Sequence, residues 1–198
     1  TSNALSAGLY NRGYKVLAVD LDPQCNLSFS CGEDMINTEK TLYDVFKGNA
    51  EVQEAIIPLK LGFELLPGGL TLAGADMDCT QTGREYMLVE ALEKVSDKYD
   101  YCIIDTPPTL GILTANALAA ANYVIVPMTA DIYALQGLTQ LNGLIQNVRR
   151  YCNKGLKIAG ILLTRYNDLQ IISKTLKGNI EQAAQDLGTE IYKTYIRE

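Results

Sequence analysis

Three aspartates close two apolar runs. Val16–Val19 leads into Asp20, Leu21 and Asp22, and Tyr101-Cys-Ile-Ile leads into Asp105. A carboxylate at the end of a buried strand is costly unless a cation, a hydrogen-bond donor or a metal meets it. Its oxygens suit a hard divalent cation, and a carboxylate beside a water molecule can orient it for attack. The 198 residues contain no histidine. Histidine-based triads and the commonest zinc ligand are thereby excluded, leaving Asp, Glu, Lys, Arg, backbone amides or a bound hard metal to carry any chemistry. The five cysteines, Cys25, Cys31, Cys79, Cys102 and Cys152, form no CxxC pair. That pattern argues for free thiols in a reducing compartment.

The elements that must position these acids alternate along the chain. Helical patterns cover Ser2–Asn11, stopped by Gly13, then Thr41–Phe46, Tyr86–Val95, Leu113–Ala121, Ala134–Tyr151 and Ile171–Leu187. Strands are expected at Val16–Val19, Phe63–Leu66, Tyr101–Asp105, Tyr123–Pro127 and Ile158–Thr164, with a last short segment at Ile191–Ile196. Strands apolar on both faces and separated by helices predict an α/β fold: a mostly parallel sheet with helices on both faces, in three layers. In such sheets chemistry collects at the carboxyl ends of the strands, where Asp20, Asp22 and Asp105 all fall.

Hydrophobic content of 47% and charged content of 20% describe a folded protein. No apolar run is long enough for a bilayer span, so the expectation is a soluble, cytoplasmic protein without a membrane partner. The net charge of −6 is unevenly spread. Residues 1–140 hold 8 basic and 18 acidic residues, whereas residues 141–180 hold 7 and 1. The basic block comprises Arg149, Arg150, Lys154, Lys157, Arg165, Lys174 and Lys177. Two readings stay open for it: an ordinary solvated surface with helix-end cations, or a face for an anionic partner.

Two stretches carry a family resemblance. "VDLDPQCN" and "IIDTPPTLGILTANALAAANYVIVPM", continued by "TLYDVFKG", "ADIYALQGLTQL" and "GILLTRYND", resemble the ParA/MinD family of deviant Walker-type ATPases, most closely its ParA/Soj partition branch. The likeness covers nearly the whole chain and implies a P-loop NTPase-like, Rossmann-like fold. It also implies ATP and Mg²⁺ as cofactors, an ATP-dependent homodimer, non-specific DNA, a ParB-like stimulating protein and a place on the bacterial nucleoid. A phosphate-binding loop of the K-G-G-x-G-K-[ST]-T type is expected just before the first helix, yet no G-x-x-x-x-G-K-[ST] occurs. The expectation is one ParA-type domain over residues 1–198, cut short at both ends and inactive by itself.

By match to the family, Asp22 orients the attacking water, Asp105 is the Walker B acid that holds Mg²⁺, and Asp20 lies near the metal, reaching it directly or through water. Thr1 falls in the first turn after the phosphate loop. Pro107 stiffens the segment beside the γ-phosphate. Thr164, Arg165 and Tyr166 match the strand end that meets the adenine. Plainer roles stay open: a helix cap for Asp105, a structural hydrogen bond for Asp20 and simple packing for residues 164–166. Arg149, Arg150, Lys154, Lys157, Lys174 and Lys177 are the candidate DNA contacts. Two departures stand out. Cys25 replaces the usual glycine of D-P-Q-G-N; a φ > 0 there would strain it, and the reading adopted is a position that tolerates a small side chain. Leu169-Gln170 replaces a basic residue that often contacts DNA. Alternatives on the same fold are a MinD-like membrane-positioning ATPase, which needs an amphipathic helix, and a metabolic synthase of the dethiobiotin or cobyrinate kind, which needs a second substrate pocket.

Overall fold

Val16–Asp20 is an apolar run closed by one acid, and it forms strand β1, every residue of which is buried. In the computed structural model residues 1–33, 38–78, 81–166 and 171–197 are described, with the backbone alone at 76, 78, 132–134 and 171–177. The backbone divides into two compact units, residues 1–120 and 121–198.

The first unit runs α1 (Ser2–Tyr10), β1, α2 (Asn26–Ser30), α3 (Leu42–Phe46), α4 (Val52–Ala55), β2 (Ile57–Pro58), β3 (Glu64–Leu66), α5 (Ala75–Asp78), α6 (Met87–Glu93), β4 (Tyr101–Asp105) and α7 (Ile112–Ala120). Its strands are ordered β2-β3-β1-β4. β1 runs parallel to both β3 and β4, and only the two-residue β2 is antiparallel. Alternate residues of a strand face opposite sides of a sheet. Leu17 and Val19 accordingly pack with Leu42, Phe46, Leu88, Ala91, Leu113 and Ala117 from α3, α6 and α7. Val16 and Ala18 pack on the other side with Ala7 and Leu9 of α1 and Leu27 of α2. The layered α/β architecture expected from the sequence is the one observed.

The second unit contains β5 (Tyr123–Met128), α8 (Ile132–Tyr151), β6 (Lys157–Leu163) and α9 (Ile171–Asp186). β5 and β6 pair in parallel, with a register shift between Val124 and Ile125. Val126, Met128, Ile161 and Leu163 form its core with Leu138, Ile180 and Ala184.

Several elements differ from their sequence patterns. The strand expected to stop at Val19 takes in Asp20, which pairs with Asp105, so the acid is part of the ladder. Tyr86–Val95 resolves into a 3-10 turn over Arg84–Tyr86 and α6, which ends at Glu93. Ile191–Ile196 makes a single bridge, Ile191 to Ile161, extended by bonds from the Tyr192 and Ile196 amides to the carbonyls of Ile161 and Leu163. Helix α2 and strand β2 are too short to print a periodic pattern. Gly13 stops α1 at φ 91°, a conformation open to glycine at little cost.

Leu17 is 1% exposed at the centre of the larger core. Leu17→Ala is expected to cost about 3 kcal/mol, since truncation of a buried leucine leaves a cavity that the sheet cannot close. A urea titration showing a fall of that size in unfolding free energy, with unchanged slope, checks this.

Candidate functional site

Strand register brings two of the acids together. Asp20 and Asp105 are direct partners across the parallel β1–β4 pair, and the Leu21 amide donates to the Asp105 carbonyl at 2.9 Å. Asp22 follows two residues beyond. Asp20 has no exposed surface. Its Oδ2 accepts from the Ser28 hydroxyl at 2.6 Å and the Ser28 amide at 2.8 Å, and its Oδ1 accepts from the Asp22 amide at 3.2 Å. Burial pushes the Asp20 carboxyl above the ordinary aspartate range; the Ser28 bonds and the Asp22 amide pull it back, and the Asp105 charge adds a smaller upward push.

The Asp22 carboxylate is fixed by its own turn. Its Oδ1 accepts from the Gln24 amide at 2.9 Å, while the Asp22 carbonyl accepts from the Cys25 amide at 2.8 Å. Side chains that hydrogen-bond the backbone two residues on are a standard way to hold such a bend. The turn sets Cys25 at φ 55°, in the left-handed region. The position therefore asks for glycine-like geometry, and the sequence reading of a mere preference for small side chains is corrected. Cys25 is fully buried, and burial together with the charges of Asp20 and Asp22 pushes its thiol up to about 11.

Asp105 is half-buried at the end of β4, and the Ser2 hydroxyl at the start of α1 donates to its Oδ1 at 2.5 Å. Thr1 is exposed, and its carbonyl accepts from the Leu5 amide. Pro107 is buried two residues after Asp105. Opposite, the Pro67-Gly68-Gly69 segment runs hard against β1: a Cβ on Gly68 would lie 2.8 Å from the Asp20 carbonyl oxygen. Among the described residues the ion pairs join Lys40 to Glu54, Arg84 to Glu85 and Lys94 to Glu51, and none reaches these acids. The cluster is thus a set of hard oxygen donors that no described ion pair balances. Among the described residues, no three Cys, Asp or Glu side chains converge enough to hold a metal unaided. Carboxylate oxygens are the donor type that a hard ion such as Mg²⁺ takes, alongside waters and phosphate oxygens.

Ser28 and Ser2 escaped the sequence reading. The available signal was the buried acid itself, which demands donors nearby; Ser28 is a hydroxyl in an apolar-flanked stretch eight residues on. The other predicted site residues lie in the second unit. Thr164 is half-buried after β6, and its amide donates to the Met128 carbonyl at 2.9 Å. Arg165 is exposed at φ 51°. Tyr166 is buried in the core, edge-on to Tyr195 with ring centres 5.0 Å apart. Of the basic candidates, Arg149 is half-buried with its Nε donating to the Leu156 carbonyl at 2.8 Å. Arg150, Lys154 and Lys157 are exposed. The side chains of Lys174 and Lys177, and the Leu169-Gln170 departure, lie outside the described residues. Among the described residues no helix is long and apolar enough to cross a membrane.

Comparison with known proteins gives a consistent result. A profile of the AAA domain family matches residues 1–158. The sporulation initiation inhibitor protein Soj of Bacillus subtilis is 37% identical over 198 residues, covering 99% of this chain and 77% of Soj. The chromosome partitioning protein ParA of Caulobacter vibrioides is 37% identical over 206 residues, covering 99% of this chain and 74% of its own length. The crystal structure of cobyrinic acid a,c-diamide synthase from Mycobacterium smegmatis with bound ADP and magnesium superposes with a TM-score of 0.87 at 38% identity, covering 91% of this chain and 75% of that one.

The raised Asp20 pKa carries a sign. A carboxyl raised above its unfolded value contributes stability that is present below that value and lost as pH rises through the folded pKa. The Ser28 bonds oppose this loss. Ser28→Ala is expected to cost about 2 kcal/mol near neutral pH, with the deficit shrinking as pH falls toward about 4. Urea unfolding of both proteins across that range checks it; a pH-independent difference would show that the hydroxyl does not act on the Asp20 charge.

Proposed function

The chain belongs to the AAA-domain family of Soj and ParA partition ATPases, and from that membership we propose that it is an ATP-dependent molecular switch that dimerises around ATP, binds DNA without sequence preference and hydrolyses ATP to ADP and phosphate in partition. The observation that carries the reading is the Asp20–Asp105 pairing at the carboxyl ends of two parallel strands, with Asp22 fixed just beyond and no described ion pair to balance them. Bound there, magnesium would neutralise charge on the phosphates. Asp105 would hold it, with Oδ1 already steadied by Ser2. Asp20, fully buried with both oxygens engaged, acts at one remove by fixing the Asp22 amide and Ser28. Asp22 orients the water whose oxygen attacks the γ-phosphorus as the bond to the ADP oxygen breaks. In such transfers positioning outweighs base strength.

Thr1 and Pro107 flank the phosphates in this reading, and Thr164 and Arg165 meet the base. Tyr166 supports them from the core. In this reading residues 1–198 belong to one ATPase domain that acts in the cytoplasm, on the nucleoid, with a ParB-like stimulating partner. Arg150, Lys154 and Lys157 supply phosphate contacts, and Arg149 chiefly ties the end of α8 to the turn before β6. A second reading rests on the likeness to the Mycobacterium smegmatis synthase: an ATP-dependent, amide-forming enzyme. ATP turnover that requires a carboxylic-acid substrate and ignores DNA would favour it.

In the full-length protein, Asp22→Ala is expected to keep ATP-dependent dimerisation and lose turnover by at least about 100-fold. Steady-state ATPase assays and sedimentation decide; turnover at the normal rate would remove Asp22 from its role. Arg150→Glu with Lys154→Glu is expected to weaken duplex retention without altering ATP binding. The salt dependence should also become shallower, by about 0.9 in log–log slope for each phosphate that is no longer neutralised.

A further inference from the structure

We infer that the end of the second unit where α8 turns into β6 is a stacking surface for unpaired nucleobases, so that single-stranded nucleic acid engages it through contacts a duplex cannot make. The inference rests on the proposed reading of this basic face as a nucleic-acid contact and adds to it a second kind of group. Between Asp131 and Asp168 the sequence holds no acidic residue, and four of the cations in that interval, Arg149, Arg150, Lys154 and Lys157, fall at the end of α8, in the turn and at the start of β6. Two tyrosines stand among these cations. Tyr151 ends α8 and is 67% exposed; Tyr123 opens β5 and is 63% exposed. The Arg150 guanidinium lies 5.1 Å from the centre of the Tyr151 ring. Tyr123 is the ladder partner of Lys157, whose amide donates to the Asn122 carbonyl at 3.0 Å.

The turn that presents them is braced from within. Arg149 Nε donates to the Leu156 carbonyl, Asn153 Nδ2 donates to the Ala121 carbonyl at 2.7 Å, and the Gly155 amide donates to Asn153 Oδ1 at 3.2 Å. Leu156 is 2% exposed and pins the turn to the core. Little ordering is left to be done on binding, which favours affinity. Cations on such a surface act on any phosphate backbone. An exposed aromatic ring adds stacking, which tolerates every base because each has a π-face, but which a paired and stacked duplex base cannot offer. Interleaved rings and cations of this kind therefore discriminate strand state rather than sequence.

The test is fluorescence anisotropy of the full-length protein with an oligo-dT strand of about 20 nucleotides and a duplex of the same length, across a salt series. Tyr151→Ala and Tyr123→Ala are each expected to weaken single-strand binding about tenfold, leaving duplex affinity and salt slope unchanged, and Tyr151→Phe to retain the affinity. Both tyrosines are largely exposed, and thermal unfolding confirms the folded state; should Tyr123→Ala unfold, the Tyr151 pair decides alone. Equal losses on both oligonucleotides, or no loss on the single strand, overturn the inference, as does capture by anionic phosphatidylserine vesicles with neither oligonucleotide bound. Duplex binding that survives Arg150→Glu with Lys154→Glu overturns the broader DNA reading. Loss of duplex binding in that pair, with unchanged single-strand affinity in Tyr151→Ala, overturns the stacking surface alone.

Discussion

A carboxylate with no access to water and no described cation beside it is the constraint around which the first unit is organised. Asp20 sits at the end of a wholly buried strand, and its charge is tolerable only because Ser28 and the Asp22 amide supply three donors. Those donors oblige the chain to bend immediately after β1 and to start helix α2 close by. The bend fixes Asp22, and the packing of Gly68 on the Asp20 carbonyl closes the opposite side. One desolvation problem thus dictates the local path of three separate segments.

The same solution bears on the chemistry proposed above. Parallel pairing puts Asp20 level with Asp105, and like charges on adjacent strands repel. Ser2 takes up part of the Asp105 charge, and no described ion pair takes up the remainder. In the proposed reading a hard cation carried in with phosphates would relieve that imbalance, so acids that are awkward for the folded chain would become an asset to a bound nucleotide. Carboxylates set in place beforehand would lower the reorganisation that the proposed phosphoryl transfer needs.

How far this was legible in the sequence differs by element. The runs into Asp20 and Asp105 announce buried parallel strands, because only a sheet covered on both faces calls for apolar residues at successive positions. Long helices such as α8 are plain from their periodicity, to within two residues at the start. The short pieces were not: α2 spans only Asn26–Ser30, and β2 only Ile57–Pro58, too few residues for a period to show. Ser28 was hidden because a hydroxyl's partner depends on that unseen helix. Cys25 shows the reverse error, where a departure from the usual glycine read as tolerance and the backbone kept the left-handed geometry all the same. Tyr151 and Tyr123 only bounded a predicted helix and a predicted strand; their exposure, 67% and 63%, is read from the fold.

The left-handed Cys25 has a consequence of its own. A thiol with no exposed surface and a pKa of about 11 is almost entirely protonated at neutral pH and shut away from electrophiles and oxidants. It can react only in the fraction of molecules whose Asp22–Cys25 bend has sprung open. The residue is therefore a silent timekeeper: the pace at which it ages chemically records how often the Asp22–Cys25 bend loses its shape.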